Sequence, residues 1–106
     1  MKSYDQLYID GQWVRPKNGG TFDTIDPSNE SVITQVAAAT ADDIDLAVNA
    51  ARRAFDEGPW PQMTGAERAT ILRAIARGIR ERQDKLAELE VRDNGKPLPE
   101  AQWDIA

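Results

Sequence analysis

The sequence contains no histidine and no cysteine among its 106 residues. Without histidine there is no imidazole to act as a general base, a proton shuttle or a metal ligand. Without cysteine there is no thiolate nucleophile, no zinc–thiolate site and no disulfide. These two absences exclude most enzyme chemistry from within the chain, and the lack of disulfides fits a cytoplasmic protein.

Basic residues are outnumbered, with 13 Lys and Arg against 18 Asp and Glu, so the net charge is −5. An acidic surface repels a phosphate backbone, and we expect no nucleic-acid partner. There is no apolar run long enough for a membrane span, and residues 1–5 lead into polar sequence without the apolar core of a signal peptide. We therefore expect a cytoplasmic protein without a membrane partner.

The first third of the chain has the pattern of short strands and turns. Residues 7–14 are aromatic and β-branched around Asp10-Gly11, which favours a tight hairpin turn. Residues 21–25 and 32–36 are two further strand patterns, separated by the turn sequence Asp26-Pro27-Ser28-Asn29. The sequence predicts a small antiparallel β-meander over residues 1–39.

From Thr40 onward the apolar spacing becomes helical. Thr40-x-x-Asp43 and the capping-box pattern Thr64-x-x-Glu67 predict two helix starts, and Gly58-Pro59 ends the first helix. The second helix is predicted to end near Gly95 and Pro97, and a third to begin near Pro99. The first helix has one apolar stripe, made of Ile44, Ala47, Val48, Ala51 and Phe55. On the second helix the residues expected to face inward are Ile71, Leu72, Ile75, Ile79, Leu86 and Leu89. Residues 40–106 are thus predicted to form two amphipathic helices and the start of a third.

This arrangement has a thin core and open strand edges, and the last helix runs into an apolar end at Ile105-Ala106. We expect the chain to be the beginning of a larger α/β protein rather than a finished unit.

Three charged groups invite a functional interpretation, and each has a simpler one. Arg68, Arg73, Arg77, Arg80 and Arg82 alternate with acids at helical spacing, which is typical of a solvated helix face. Gly95-Lys96 follows a helix instead of preceding one, so it indicates a helix cap rather than a phosphate loop. Asp42, Asp43 and Asp45 suit the first turn of a helix. With no G-x-G-x-x-G motif either, the chain is predicted to contain no catalytic and no cofactor-binding residue.

Six stretches in order resemble the N-terminal segment of the aldehyde dehydrogenase superfamily. They are residues 8–13 (YIDGQW), 25–29 (IDPSN), 47–55 (AVNAARRAF), 68–76 (RATILRAIA), 86–90 (LAELE) and 93–98 (DNGKPL). Residues 95–105 (GKPLPEAQWDI) look like the corresponding run in betaine aldehyde and ω-aminoaldehyde dehydrogenases.

The resemblance implies an aldehyde dehydrogenase-like α/β fold, of which residues 1–106 are the N-terminal part of the NAD(P)-binding domain. It implies a homo-oligomeric enzyme that oxidises a small aldehyde, such as betaine aldehyde or an aminoaldehyde, with NAD or NADP. In that mechanism a Cys thiolate attacks the aldehyde, hydride passes to the nicotinamide and a Glu-activated water releases the acid. These residues are expected in the remainder of the subunit, so the isolated chain is predicted to be inactive.

The resemblance also implies a monovalent cation site for K⁺ or Na⁺. Its ligands would be the backbone carbonyls of Thr24 and Ile25 and the residue Asp93, which match the family positions before the Asp-Pro turn and before Asn-Gly-Lys. Oxygen ligands suit such hard cations. The simpler alternative is that Asp93 only forms hydrogen bonds near a helix end.

Two other functional classes remain open at this point. The chain could be a stand-alone interaction module derived from such an enzyme, binding through exposed strand edges and half-covered helix faces. It could also be an ordinary small α+β domain with no enzymatic connection.

Overall fold

The computed structural model describes residues 4–106, and this part of the chain contains four strands and four α-helices. The strands are β1 (Leu7–Ile9), β2 (Gln12–Val14), β3 (Thr21–Ile25) and β4 (Val32–Ala37). The helices are α1 (Ala41–Glu57), α2 (Gly65–Arg80), α3 (Gln83–Asn94) and α4 (Leu98–Ile105), and a short 3₁₀ turn covers Trp60–Gln62. In the part that the structure describes, no helix is both long and apolar enough to cross a bilayer.

The described chain divides into two compact units. The first comprises the described residues up to Thr24 together with Thr34–Gln62, and the second comprises Ile25–Ile33 and Met63–Ala106. The hairpin of β1 and β2 and helix α1 belong to the first unit. The turn after β3 and helices α2, α3 and α4 belong to the second unit.

Strands β1 and β2 form the antiparallel hairpin predicted around Asp10-Gly11. Tyr8 pairs with Trp13, and their ring centroids are 5.1 Å apart. Asp10 and Gly11 have φ angles of 53° and 75°, the left-handed values that a two-residue hairpin turn with the correct twist requires. The Asp-Gly pair therefore makes this turn because both residues tolerate positive φ.

Strands β3 and β4 form a second two-stranded sheet, so the predicted strands lie in two sheets rather than in one continuous meander. The segment between β2 and β3 bonds to other partners: the N–H of Lys17 donates to the carboxylate of Asp43 at 3.1 Å. On β4, the N–H of Tyr4 donates to the carbonyl of Gln35 at 3.0 Å, and Tyr4 forms a parallel bridge with Val36. The N–H groups of Lys17 and Tyr4 are thus satisfied without a continuous four-stranded sheet.

Both predicted helix starts are confirmed as capping boxes. The N–H of Thr40 donates to the carboxylate of Asp43 at 2.8 Å, and the N–H of Asp43 donates to the hydroxyl of Thr40 at 3.4 Å. At α2, the N–H of Thr64 donates to Glu67 at 2.7 Å, and the N–H of Glu67 donates to the Thr64 hydroxyl at 3.2 Å. These reciprocal bonds satisfy backbone donors that a helix start otherwise leaves unpaired.

The structure divides the long second helix of the sequence analysis into α2 and α3. The N–H of Arg82 donates to the carbonyl of Ile79 at 3.0 Å, a tighter three-residue spacing, and the φ angle of Arg82 is −116°. The guanidinium of Arg82 also donates to the carbonyl of Gly78 at 2.8 Å. The side chain of Arg82 thus satisfies the carbonyl of Gly78 near the break. Gly78 itself lowers the helix propensity there.

The hydrophobic core of the described residues is small. The buried apolar residues among those described are Ala87 on α3, Ala101 on α4 and Pro16 between β2 and β3, and helices α3 and α4 pack together. The expectation that the apolar residues of the second predicted helix face inward is wrong within this chain for Ile71, Leu72, Ile75 and Ile79, which are exposed, whereas Leu86 and Leu89 are half-buried. The large residues of the apolar stripe on α1 are exposed as well; they are Ile44, Val48 and Phe55. The described residues offer no surface that covers them, although their helical spacing is as predicted.

We predict that acid unfolding of the first unit depends on Asp43. Bonds from the Thr40 amide, the Thr40 hydroxyl and the Lys17 amide lower the pKa of this carboxyl below 3.8, although burial opposes the shift. A carboxyl with a depressed pKa in the folded state stabilises the fold above its unfolded pKa, and this contribution is lost as the pH falls through the folded pKa. Asp43→Asn is therefore expected to lower the thermal midpoint at neutral pH, with a smaller difference from the parent below pH 3.8.

The control is Asp45→Asn, which removes an exposed carboxylate from the same helical turn. Circular dichroism melts across this pH range measure both variants. A loss of stability for Asp43→Asn that stays constant with pH would contradict the role of the charged carboxylate.

Candidate functional site

The candidate site lies in the second unit, where the turn after β3 meets the C-terminal end of α3. Gly95 ends α3 with a φ of 79°, and its N–H donates to the carbonyl of Val91 at 2.9 Å. A Cβ atom at Gly95 would lie 3.2 Å from Cγ of Pro27. Glycine is therefore required both for the left-handed cap and for the close approach of the proline ring.

The turn itself is built around the almost fully buried Asp26. Its carboxylate accepts hydrogen bonds from the hydroxyl of Ser28 at 2.6 Å and from the N–H of Ser28 at 2.9 Å. These bonds hold the pKa of Asp26 below its ordinary value, and the positive charge of Arg92 lowers the pKa further, while burial opposes the shift. A charged Asp26 thus fixes the turn next to the end of α3.

The three residues predicted to hold a monovalent cation are divided between the two units. Thr24 and Ile25 are the last two residues of β3, and the hydroxyl of Thr24 donates to the carbonyl of Thr34 at 3.3 Å. Asp93 is exposed in the last turn of α3. Ile25 and Asp93 belong to the second unit, whereas Thr24 belongs to the first. Among residues 4–106 no group of three or more Asp or Glu side chains could hold a metal, and the predicted site uses backbone carbonyls instead.

The residues after Gly95 hold α4 against α3 through an ion network that the sequence analysis missed. The ammonium group of Lys96 bonds to the carboxylate of Asp104 and lies 3.4 Å from that of Glu90. The bond with Asp104 contributes most to raising the pKa of Lys96. Lys96 therefore has a structural role here, and the cap interpretation of Gly95-Lys96 is confirmed.

A cavity of about 400 Å³ in the first unit lies between the β1–β2 hairpin and α1. Its lining includes Arg53, which is 2.7 Å from Asp10, and Lys17, which is 2.7 Å from Asp42. These charges neutralise one another, and the chain contains no Cys or His to act as a nucleophile or base.

Comparison with known proteins identifies the family that shares these features. The model of the family described as "Aldehyde dehydrogenase family" matches residues 13–106. Aldehyde dehydrogenase family 2 member C4 of Arabidopsis thaliana is 50% identical over 93 residues, which cover 88% of this chain and 19% of the relative. Aminoaldehyde dehydrogenase 2 of Solanum lycopersicum is 48% identical over 100 residues, which cover 94% of this chain and 20% of the relative.

Solved structures give the same result for the fold. A point mutant of betaine aldehyde dehydrogenase from Staphylococcus aureus, in complex with NAD⁺, superimposes with a TM-score of 0.92 and 44% identity. The match covers 97% of this chain and 21% of that enzyme's chain. An NAD-dependent aldehyde dehydrogenase from Sinorhizobium meliloti matches with a TM-score of 0.91 and 41% identity, over 98% of this chain and 21% of that chain. The chain spans about a fifth of the length of the proteins it matches.

We predict that the junction between the turn and α3 depends on Gly95. A side chain at a left-handed position costs about 1–2 kcal/mol, and at Gly95 it would also press on Pro27. Gly95→Ala is expected to lower the free energy of unfolding by at least about 1 kcal/mol. Urea unfolding followed by circular dichroism measures the change.

The matched control is Gly65→Ala, at the start of α2, where an added Cβ meets nothing within 4 Å. This substitution should be neutral or stabilising by less than about 1 kcal/mol. Equal losses at the two positions would show that the left-handed conformation and the contact with Pro27 do not determine the cost.

Proposed function

Because this chain belongs to the aldehyde dehydrogenase family, we propose that it is the N-terminal segment of a subunit that oxidises an aldehyde to the carboxylic acid, with NAD as the hydride acceptor. The observation that carries the proposal is the match of 97% of the chain, at a TM-score of 0.92, to an enzyme in complex with NAD⁺. The 44% identity of the same match lies well above the level at which only the fold is shared.

Within such a subunit, we propose that residues 1–106 are the N-terminal part of the NAD(P)-binding domain and support the part of it that binds the cofactor. The helix starts of α1 and α2 are closed by the carboxylates of Asp43 and Glu67, which leaves no open helix N-terminus there for a pyrophosphate. A thiolate nucleophile must also come from elsewhere, since the chain has no cysteine. We therefore assign the catalytic and cofactor-binding residues to the remainder of the subunit.

The substrate class that we propose is betaine aldehyde or an aminoaldehyde. Support comes from residues 95–105 and from relatives of matching name, such as the chloroplastic betaine aldehyde dehydrogenase of Amaranthus hypochondriacus, which is 48% identical. A benzaldehyde dehydrogenase of Antirrhinum majus is 49% identical, so overall identity across this segment does not distinguish these aldehydes. Substrate selection is assigned to residues outside it.

Three further features belong to the proposed enzyme. We propose a homo-oligomer in the cytoplasm, although relatives are named as chloroplastic, mitochondrial and peroxisomal. We also propose a monovalent cation site made by the carbonyls of Thr24 and Ile25 and by Asp93. Its support is the position of two of these residues in the second unit. Ile25 directly precedes the turn that contains Pro27, and Asp93 lies two residues before Gly95, which approaches Pro27 closely.

We predict that the protein carrying this sequence has an intact mass about five times the 11.8 kDa of the chain, since the chain spans 20% of a relative's length. It should reduce NAD in the presence of betaine aldehyde or an aminoaldehyde, whereas the 106-residue chain alone should not. Mass spectrometry and absorbance of the reduced nicotinamide measure the two properties.

Turnover by the isolated chain would overturn the proposal. A natural product of 11.8 kDa without further sequence would instead favour the stand-alone interaction module, for which the exposed apolar helix faces are the supporting observation.

We predict that Asp93→Ala in the parent enzyme weakens the dependence of activity or thermal stability on potassium or sodium. Removing one oxygen ligand from the proposed site is expected to raise the cation concentration needed for half of the effect by roughly tenfold. The control is Glu88→Ala, which removes another exposed carboxylate from the same helix. Identical ion titrations for the parent and both variants would show that Asp93 does not contribute to a cation site.

A further inference from the structure

The chain contains two Asn-Gly pairs. Asn18-Gly19 lies in the loop between β2 and β3, and Asn94-Gly95 is the C-terminal end of α3. Both asparagines are exposed. Both glycines have left-handed φ angles, 64° and 79°, and both donate their N–H to a backbone carbonyl, at 2.8 Å and 2.9 Å. Neither exposure nor the conformation of the glycine therefore distinguishes the two pairs.

The side-chain amides of the two asparagines have different contacts. The amide of Asn94 is held at both of its atoms. Its nitrogen donates to the carboxylate of Glu90 at 2.9 Å, and its oxygen accepts the N–H of Lys96 at 2.8 Å. Within the described part of the chain, the amide of Asn18 has no hydrogen bond. The Asn18 amide can therefore turn toward the backbone nitrogen of Gly19, whereas the Asn94 amide must first lose two hydrogen bonds.

An asparagine before a glycine can convert to an acid by a reaction of its own amide. The backbone nitrogen of the glycine, after losing its proton to solvent, attacks the side-chain carbonyl carbon of the asparagine. A C–N bond forms, the bond to the amide nitrogen breaks, and ammonia leaves with a proton from water. Water then opens the cyclic imide at either carbonyl, which leaves aspartate or isoaspartate. Glycine favours the attack because it has no Cβ beside the nitrogen and its backbone bends freely.

The other two asparagines of the sequence lack this feature. Asn29 precedes Glu30, and Asn49 precedes Ala50, so a side chain stands next to each attacking nitrogen. The oxygen of the Asn29 amide also accepts the N–H of Ser31 at 2.9 Å. Asn18 is therefore the asparagine that combines a following glycine with an unbonded amide.

We propose that Asn18 is a site of spontaneous deamidation in the folded protein, and that Glu90 and Lys96 protect Asn94 from the same reaction. Asparagine is among the residues that limit the thermal lifetime of proteins. The reaction consumes only water and releases ammonia. It makes the chain more acidic by one charge for each modified copy.

Deamidation at Asn18 would act on the start of α1 through Lys17. The ammonium of Lys17 pairs with Asp42 at 2.7 Å, and its N–H donates to the carboxylate of Asp43 at 3.1 Å. A new carboxylate on the adjacent residue competes with Asp42 for the ammonium. Isoaspartate also lengthens the main chain within the loop. Both products therefore weaken the link between the loop and α1.

The test ages the full-length protein in neutral buffer below its thermal midpoint, and peptide mapping by mass spectrometry measures aspartate and isoaspartate at each asparagine. In the folded protein, Asn18 is expected to convert at least roughly tenfold faster than Asn94, because two hydrogen bonds hold the Asn94 amide. In urea the two rates should come within about threefold of each other, since both pairs are then Asn-Gly without structure.

Three variants separate the contributions. Asn18→Gln should abolish the product in its peptide, because the attack would have to close a larger ring. Glu90→Ala removes the acceptor for the Asn94 amide and should speed conversion of Asn94 by at least roughly threefold. Glu90→Gln is the matched control: it loses the same charge but keeps a carbonyl acceptor, and the rate at Asn94 should stay within about twofold of the parent.

Conversion of Asn18 that is no faster than that of Asn94 in the folded protein would overturn the proposal. A tenfold difference that persists in urea would overturn the protection of Asn94, because the flanking sequence and not the fold would then set the rates. Neither outcome bears on the proposed aldehyde oxidation, since deamidation uses only the Asn18 amide, the backbone of Gly19 and water.

Discussion

Burial of apolar helix faces is the interaction on which α1 and α2 depend, because helices of their length gain little net stability in water from their own hydrogen bonds. In the described chain Ile44, Val48 and Phe55 of α1 remain mostly exposed, as do Leu72 and Ile75 of α2. Complete burial of one such side chain stabilises a fold by roughly 1.5–3 kcal/mol. Much of the stabilisation that these helices can gain therefore has to come from a surface outside the described residues.

The helix starts and the turn after β3, by contrast, are determined by polar contacts between near neighbours in the sequence. Capping boxes begin α1 and α2, and the bonds from Ser28 to Asp26 set the turn after β3. These contacts need no covering surface, because each donor and acceptor is satisfied within a few residues. A segment with well-defined helix ends and unburied faces suits the proposed role as a support for a larger catalytic subunit.

Features that depend on local chemistry could be predicted from the sequence, and those that join distant residues could not. The hairpin at Asp10-Gly11 and the cap at Gly95 follow from positive φ angles that few other residues adopt. The break between α2 and α3 was not visible, because Ile79 and Leu86 are seven residues apart and keep the helical period across it. The bond between Arg53 and Asp10 links residues 43 positions apart, and no spacing rule indicates it. For the candidate site, the resemblance to the family supplied Thr24, Ile25 and Asp93, whereas the contact of Pro27 with Gly95 emerged only from the fold.

The sequence by itself determined where α1 and α2 begin, where the hairpin turns and where α3 ends. It also determined that the chain has no thiolate or imidazole chemistry of its own. It also determined that α1 has an apolar stripe, since a helical period in the sequence is a property of the helix alone. Only the tertiary structure decided that Ala47 of this stripe is half-buried while Ile44, Val48 and Phe55 stay exposed. The physical reason is that a helical period in the sequence shows only that one face of a helix is apolar. Which side chains on that face become buried depends on how the neighbouring helices and strands pack against it.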